Sequence, residues 1–395
     1  MTQLDVWGVE ASPYLLKIEA MLNSRRVPFR RLPRDGGRWE NMRTAMRLSR
    51  AIRQGKVLRH PAMDPLDEYP SVPFLIVNGR TFQYDSSAVA HWLDRQFAGN
   101  APFFPNNPVQ AFVAALIDEA FDEYGLYMVH HQRWVCSAQD TTMGEVTAAE
   151  LSRWLLPTFS SRAHRDLPRR QVRRCPYLFS VAPQGYEADV EPLRVPPSRP
   201  GFPQTHTLLA ESWYAFLAAM ESVLSAQPFL LGDCFTVADA SAYGQLSMNL
   251  IDPTSIADLR QRAPVTYQWL LSIRDGGMQR CGDVKLTAAL QPLLDIIMKT
   301  FAPLMVQNAN AYQSALDSDQ NLFNEAAFDR NLALYDGTLL GHPFRSVVKT
   351  FQVRVWRDLC RLWRELGPDE QKELREILPN SQLFANSAGQ ESLDF

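Results

Sequence analysis

The chain has 395 residues, 46% hydrophobic and 21% charged, with a formal net charge of −3; that is long enough for two domains with an appendage and offers no overall basic field for nucleic acid. No uninterrupted apolar run approaches the ~18–20 residues of a membrane span, and no charged-then-apolar leader precedes the first apolar stretch. Five scattered cysteines (Cys136, Cys175, Cys234, Cys281, Cys360) read as reduced thiols, so the expectation is a cytoplasmic protein with neither membrane nor nucleic acid as partner.

Leu4 to Val9 predicts a strand, and Ser12-Pro13 a helix start, serine as N-cap and proline in the first turn. Leu15, Ile18, Met21 and Leu22 then share one helical face. Val27 to Leu32 predicts a second strand, made an edge or an irregular one by Pro28. The long connection from Asp35 to Tyr69 reads as a basic solvated loop. Phe74 to Val77 predicts a strand, Asn78-Gly79 a two-residue turn whose residues both tolerate positive φ, and Arg80 to Gln83 the returning strand. Tyr84-Asp85-Ser86-Ser87-Ala88 opens the next helix. Pro73 cannot donate to a sheet ladder, which places it at a strand's first residue or in a turn, with a cis bond as one option.

Beyond residue 100 the pattern turns helical. A long helix is expected from Phe112 through Tyr127 to His130, His131 and Trp134. The stretch from about 157 to 205, rich in proline and carrying Arg162, Arg165, Arg169, Arg170, Arg173 and Arg174, reads as a partly irregular insertion with a solvated basic face. Leu208 to Leu224 is helical again. Thr236 and Asp239, three residues apart, predict a reciprocal helix cap with a structural role. On a late helix, Val347, Val348, Phe351, Val355, Leu359 and Trp363 form an apolar stripe, and Arg345, Lys349, Arg354, Arg357, Arg361 and Arg364 mark its other face.

Chemistry concentrates at two places. Val72, held by Pro73, can pair with an extended peptide like one rung of a sheet, beside a helix N-terminus carrying Asp85 and Ser86. Such a terminus favours a carboxylate through its open amides and dipole, and Asp85 can accept from an ammonium. Ser12 sits at a second helix start, where a hydroxyl and helix-terminal amides stabilise an anion such as a thiolate. Adjacent His130 and His131 point apart on a helix, and no third ligand follows at metal-site spacing near Cys136, so no metal is expected.

In order and spacing, Ser12-Pro13-Tyr14, Val72-Pro73, Asp85-Ser86, Leu231-Gly232-Asp233 and Thr236-Val237-Ala238-Asp239 resemble the cytosolic glutathione transferases over residues 1–100 and about 205–275. The C-terminal third is similar to that of extended bacterial members. The resemblance implies an α/β thioredoxin-like N-terminal domain (1–100), then an all-α glutathione transferase C-terminal domain (101–290) with an insertion, a helical C-terminal extension (291–380) and a polar tail (381–395). It implies glutathione as co-substrate, held by Val72, Pro73, Asp85 and Ser86, with Ser12 or Tyr14 as the catalytic hydroxyl. A small hydrophobic electrophile would enter beside Tyr124, Tyr127, His131 and Trp134, and family members usually form homodimers. The expected reaction is thiol attack leading to conjugation, reductive cleavage or isomerisation; the alternative is a non-catalytic protein that keeps the fold for binding. Two departures narrow the chemistry. Serine in place of cysteine at position 12 argues against thiol–disulfide exchange, and Trp7 stands near where tyrosine-type members carry their hydroxyl. Arg38 and Trp39 are the nearest candidates for the glycine end of glutathione.

Overall fold

The computed structural model describes residues 2–59, 64, 66–67, 71–97, 101–155, 157–185, 197–277 and 282–385, with side chains at 157–161 and 163 excepted. Cys281, residues 186–196 of the expected insertion and most of the expected tail lie outside the described residues.

The first domain is a five-stranded mixed sheet flanked by helices. β1 (Leu4–Trp7), β2 (Arg30–Leu32), β3 (Val57–Leu58), β4 (Phe74–Val77) and β5 (Thr81–Gln83) lie in the order β2-β1-β4-β5-β3. β1 runs parallel to β2 and antiparallel to β4. The period-2 pattern of the strands separates two cores. Leu4, Val6 and Leu75 join α1 (Pro13–Ser24) and α3 (Ser86–Gln96), whereas Trp7, Phe74, Ile76 and Phe82 meet α2 (Arg38–Arg53) through Leu48 and Ala51. As expected, β2 is an edge strand, and Asn78 and Gly79 turn between β4 and β5 with φ of 50° and 60°. The Val72–Pro73 bond is cis.

The connection 35–69 is not the solvated loop expected from its charge. It contains α2 and β3; Leu48 and Ala51, between the arginines, bury against the sheet.

The second domain packs α4 (Pro108–Ala120), α5 (Leu126–His131), α6 (Met143–Leu151), α7 (Pro157–Arg174), α8 (His206–Ala226), α9 (Val237–Ser247), α10 (Pro253–Arg262) and α11 (Pro264–Arg274). The long helix expected around residues 112–134 is present but unevenly wound: wide π-type turns occupy 121–125 and 132–136. The insertion is largely helical in its first half, as α7. Domain one docks through α1 against α9, where Gly244 permits the approach. A Cβ there would stand 2.6 Å from the Pro13 carbonyl oxygen and 2.9 Å from Lys17 Cβ.

The extension adds α12 (Gln291–Lys299), α13 (Phe301–Asp317), α14 (Asn324–Asp329), a hairpin of β6 (Leu334–Leu339) and β7 (His342–Val347), α15 (Thr350–Glu365) and α16 (Pro368–Ile377). The hairpin corrects the all-helical expectation. Leu340 and Gly341 make its turn at φ of 48° and 81°, and Val347 of the apolar stripe belongs to β7, with Val348 just after it. Residues 288–317 are long and apolar enough to cross a membrane by composition, but Thr300 divides the stretch and 61% of its most apolar window is buried.

Thr236 and Asp239 form the expected reciprocal cap at the start of α9. The fully buried Asp239 accepts from Leu230 N at 2.8 Å, Thr236 N at 2.9 Å and Thr236 Oγ1 at 2.9 Å. Asp239→Ala strands two buried amides at ~1–3 kcal/mol each, so a loss of ~3 kcal/mol is expected in urea denaturation. A loss below ~1 kcal/mol would contradict a structural role.

Candidate functional site

A cavity of about 300 Å³ opens where the cis-proline corner, the N-terminus of α3, the α4–α5 wall and the extension meet. Val72, Pro73, Asp85 and Ser86 all line it, so the corner and the helix start converge as the sequence implied. Asp85 caps α3, its Oδ1 accepting from Ser87 N at 3.0 Å and Ala88 N at 3.2 Å. Its backbone takes a φ of 72°, a left-handed conformation that costs a non-glycine residue ~1–3 kcal/mol and persists only where the surroundings hold it.

Those surroundings are ionic. Asp85 Oδ2 lies 3.0 Å from Arg59 Nε and 3.5 Å from Arg354 Nη2. Asp67 links the same two guanidiniums, at 2.7 Å from Arg59 Nη1 and 3.1 Å from Arg354 Nε, and Asp358 takes Arg354 Nη1 at 2.8 Å. Burial alone would favour protonation of Asp85, but Arg354 and Arg59 outweigh it and hold the carboxyl below its ordinary range. Arg354 is 4% exposed, so the arginine-marked face of the late helix is not uniformly solvated; one of its arginines is drawn inward by three aspartates.

A second charged cluster joins the domains. Lys17 of α1 is buried with Nζ 2.6 Å from Asp118 Oδ1, 2.6 Å from Asp122 Oδ2 and 2.9 Å from Ser87 Oγ. Lys17 was not among the sequence candidates. Its signal was available: one lysine between apolar residues on α1, and two acidic pairs four apart, Asp118-Glu119 and Asp122-Glu123, where the apolar run of α4 ends. Asp122 and Glu119 both line the cavity. Burial pushes Asp122 up to about 7, with Lys17 pulling the other way and Asp118 adding to the rise. Burial, then Asp118, raises Glu119 well above its ordinary value.

Of the two hydroxyl candidates, the cavity presents Tyr14 and not Ser12. Ser12 is buried at the N-cap of α1, its side chain makes no cap hydrogen bond, and it is not a lining residue. Tyr14 lines the cavity and donates its hydroxyl to the Asp122 carbonyl oxygen at 2.9 Å. Burial, with Glu123 and Asp122 nearby, keeps that phenol protonated.

The wall expected from Tyr124, Tyr127, His131 and Trp134 is corrected in three of its four members. Tyr127 lines the cavity, with Leu126, Tyr177 and Leu178. Tyr124 is a core residue bonded to Ser212 Oγ at 2.7 Å, and Trp134 packs with Val135, Met143, Val172 and Cys175. His131 Nε2 meets His206 Nδ1 at 2.8 Å, and burial pushes its pKa down to about 3, a neutral core histidine. Arg38 and Trp39 are exposed on α2 and do not line the cavity. Within the arginine cluster, Arg174 lines it, its Nε 2.9 Å from Glu325 Oε1. The extension supplies wall residues that the sequence reading did not assign: Lys349, Phe351 and Gln352. Lys349 Nζ and Gln352 Nε2 donate to Tyr127 Oη at 2.5 and 2.7 Å.

Residues 199–270 match the family model for the glutathione S-transferase C-terminal domain. That match covers the middle of the helical domain, behind the thioredoxin-like sheet of the first domain. Similar solved structures include a glutathione S-transferase from Rhodospirillum rubrum F11, with 16% identity, covering 74% of this chain and 92% of that one at a TM-score of 0.34. The beta-etherase LigF from Sphingobium sp. strain SYK-6 shows 14% identity over 74% of this chain and 99% of its own, at 0.41. A glutathione transferase family member from Pseudomonas fluorescens Pf-5, solved with bound glutathione, shows 16% identity over 71% and 100%, at 0.31. No curated protein matches the chain in sequence.

The unfolded Asp122 carboxyl titrates near ~4. Between there and about 7 the folded chain holds the extra proton, so stability falls as pH rises through that window. Asp122→Asn removes this contribution. Thermal midpoints measured from pH 5 to 8 should decline less steeply in the variant than in the wild type, and parallel slopes would refute the shift.

Proposed function

We propose that the chain binds glutathione in the junction cavity and activates its thiol for attack on a small apolar electrophile. The observation that carries this reading is the convergence of the Val72–Pro73 corner, the α3 N-terminus and the Tyr14 hydroxyl on one cavity. The γ-glutamyl carboxylate meets the Ser86 amide and hydroxyl at the start of α3, where partial positive charge is concentrated. The cysteinyl backbone pairs with Val72 as one rung of a sheet. As the new carbon–sulfur bond forms, the thiol proton passes to solvent and the electrophile's leaving group departs with the bonding pair. Tyr14, kept protonated by burial, stabilises the thiolate by exchanging its carbonyl acceptor for sulfur. Tyr127, Tyr177 and Phe351 give the electrophile an aromatic wall.

A non-catalytic binding protein is the second reading, favoured by one observation: the Ser12 side chain lies off the cavity.

Calorimetry with glutathione at millimolar concentration should give measurable heat and a raised thermal midpoint. With an activated aryl halide, Tyr14→Phe should lower kcat/KM ~10²-fold, and Ser12→Ala should leave it within about 3-fold, since no substrate contact is lost. Absent heat and absent thermal shift would remove the glutathione reading. Binding with no turnover in any variant would establish the binding protein instead.

A further inference from the structure

The glutathione reading has an electrostatic gap. The γ-glutamyl end carries an ammonium as well as a carboxylate, and the sequence pattern offers Asp85 for it. In the folded chain Asp85 has little left to offer. One oxygen caps α3 through two amides, and the other faces two guanidiniums. An incoming ammonium would approach a carboxylate whose charge Arg59 and Arg354 already neutralise, and would be repelled by both.

The opposite side of the cavity has the reverse imbalance. Asp118 and Asp122 share one cation, Lys17, whose three ammonium hydrogens are accounted for by Asp118, Asp122 and Ser87. Glu119, one residue beyond Asp118 on α4, lines the same cavity and has no ion pair with any described residue. Asp122 is 5% exposed, and its Oδ1 is a buried acceptor with no hydrogen bond. Ser86 Oγ, on the carboxylate-binding helix start, is 3.5 Å from Asp122 Oδ2. The two ends of a glutamyl group therefore face opposite charges across a short gap, the Ser86 amide and hydroxyl of α3 on one side and the carboxylates of Glu119 and Asp122 on the other. Burial first, and then the neighbouring Asp118, raise the proton affinities of Glu119 and Asp122 against the pull of Arg354 and Lys17, so a further cation at this side would be welcomed.

Resting on the glutathione reading, we propose that the γ-glutamyl ammonium is held by Glu119 and Asp122 of the helical domain and not by Asp85. Recognition of that end is then divided between the domains: α3 takes the carboxylate, and the end of α4 with the wide turn after it takes the ammonium. Both charges come from one chain, so the site needs no second copy for this contact. A charge-assisted hydrogen bond in a partly dry cavity contributes enough to change affinity by ~10–100-fold.

The test compares glutathione with glutaryl-cysteinyl-glycine, which replaces the α-ammonium by hydrogen, using calorimetric Kd values for the full chain. Wild type should bind the analogue ~10–100-fold more weakly. Glu119→Gln removes a carboxylate without breaking an ion pair among the described residues, and should bring the two ligands within about 3-fold of each other. Asp122→Asn should narrow the gap as well. Asp85→Asn should preserve the preference for glutathione even where both affinities fall. Equal affinity of wild type for the two ligands would overturn the inference while leaving glutathione binding intact. So would a preference that survives Glu119→Gln and Asp122→Asn, or one that vanishes in Asp85→Asn. If wild type binds neither ligand, the glutathione reading fails and this inference fails with it.

Discussion

The buried Lys17 is the interaction on which the arrangement depends. An ammonium removed from water is tolerated only where carboxylates surround it, and Asp118 and Asp122 do so at 2.6 Å each. Losing one partner of such a cluster costs about 3–5 kcal/mol because the remaining charge stays buried. The lysine belongs to α1, Asp118 to α4 and Asp122 to the wide turn that follows it, so the cluster fixes the angle at which the domains meet. It also ties in α3 through Ser87. Tyr14, one turn before Lys17, is thereby aimed at the Asp122 carbonyl and into the cavity. Gly244 completes the fit by letting α9 approach the first turn of α1 more closely than any side chain would allow.

Local signals were the legible ones. The Asn78-Gly79 turn, the Ser12-Pro13 helix start and the Thr236–Asp239 cap each rest on neighbours in sequence, and each is present in the structure. The corner of Val72 and Pro73 beside Asp85 and Ser86 was legible because those pieces lie within one hairpin and one helix start. What stayed hidden depends on long separations or on uneven winding. Arg354 meets Asp85 across 269 positions, and nothing local distinguishes it from its neighbours on α15. The wall residues were misassigned because wide turns at 121–125 and 132–136 shift the helical phase, bringing Leu126 and Tyr127 to the cavity and leaving Tyr124 and Trp134 in the core. The hairpin at 334–347 was masked because Val347, Phe351, Val355 and Leu359 recur every four residues, a period that reads as one helix although its first member is in a strand.

The extension is part of the site, not a passive appendage. Through Lys349, Phe351 and Gln352 it closes a side of the cavity that the two domains would otherwise leave open, and its lysine and glutamine both reach Tyr127. Through Arg354 it reaches the charge network at the helix start. Arg354 bridges Asp67 and Asp85 of the first domain, and Arg357 adds a pair with Asp64. The extension is therefore anchored by carboxylates of the domain that carries the cis-proline corner.

That anchoring has a chemical consequence for any ligand in the cavity. A carboxylate cannot serve an internal guanidinium and an incoming ammonium at full strength, because each additional cation near it meets less uncompensated negative charge and more repulsion. By holding Arg59 and Arg354, Asp85 secures the first domain to α15 and steadies the left-handed backbone at the start of α3. The Ser86 amide at the start of α3 remains suited to an anion, while the cavity's unmatched negative charge lies on Glu119 and Asp122. Structure and electrostatics thus move together: the same arginine that fastens the extension engages the carboxylate that the sequence motif alone would leave for a ligand.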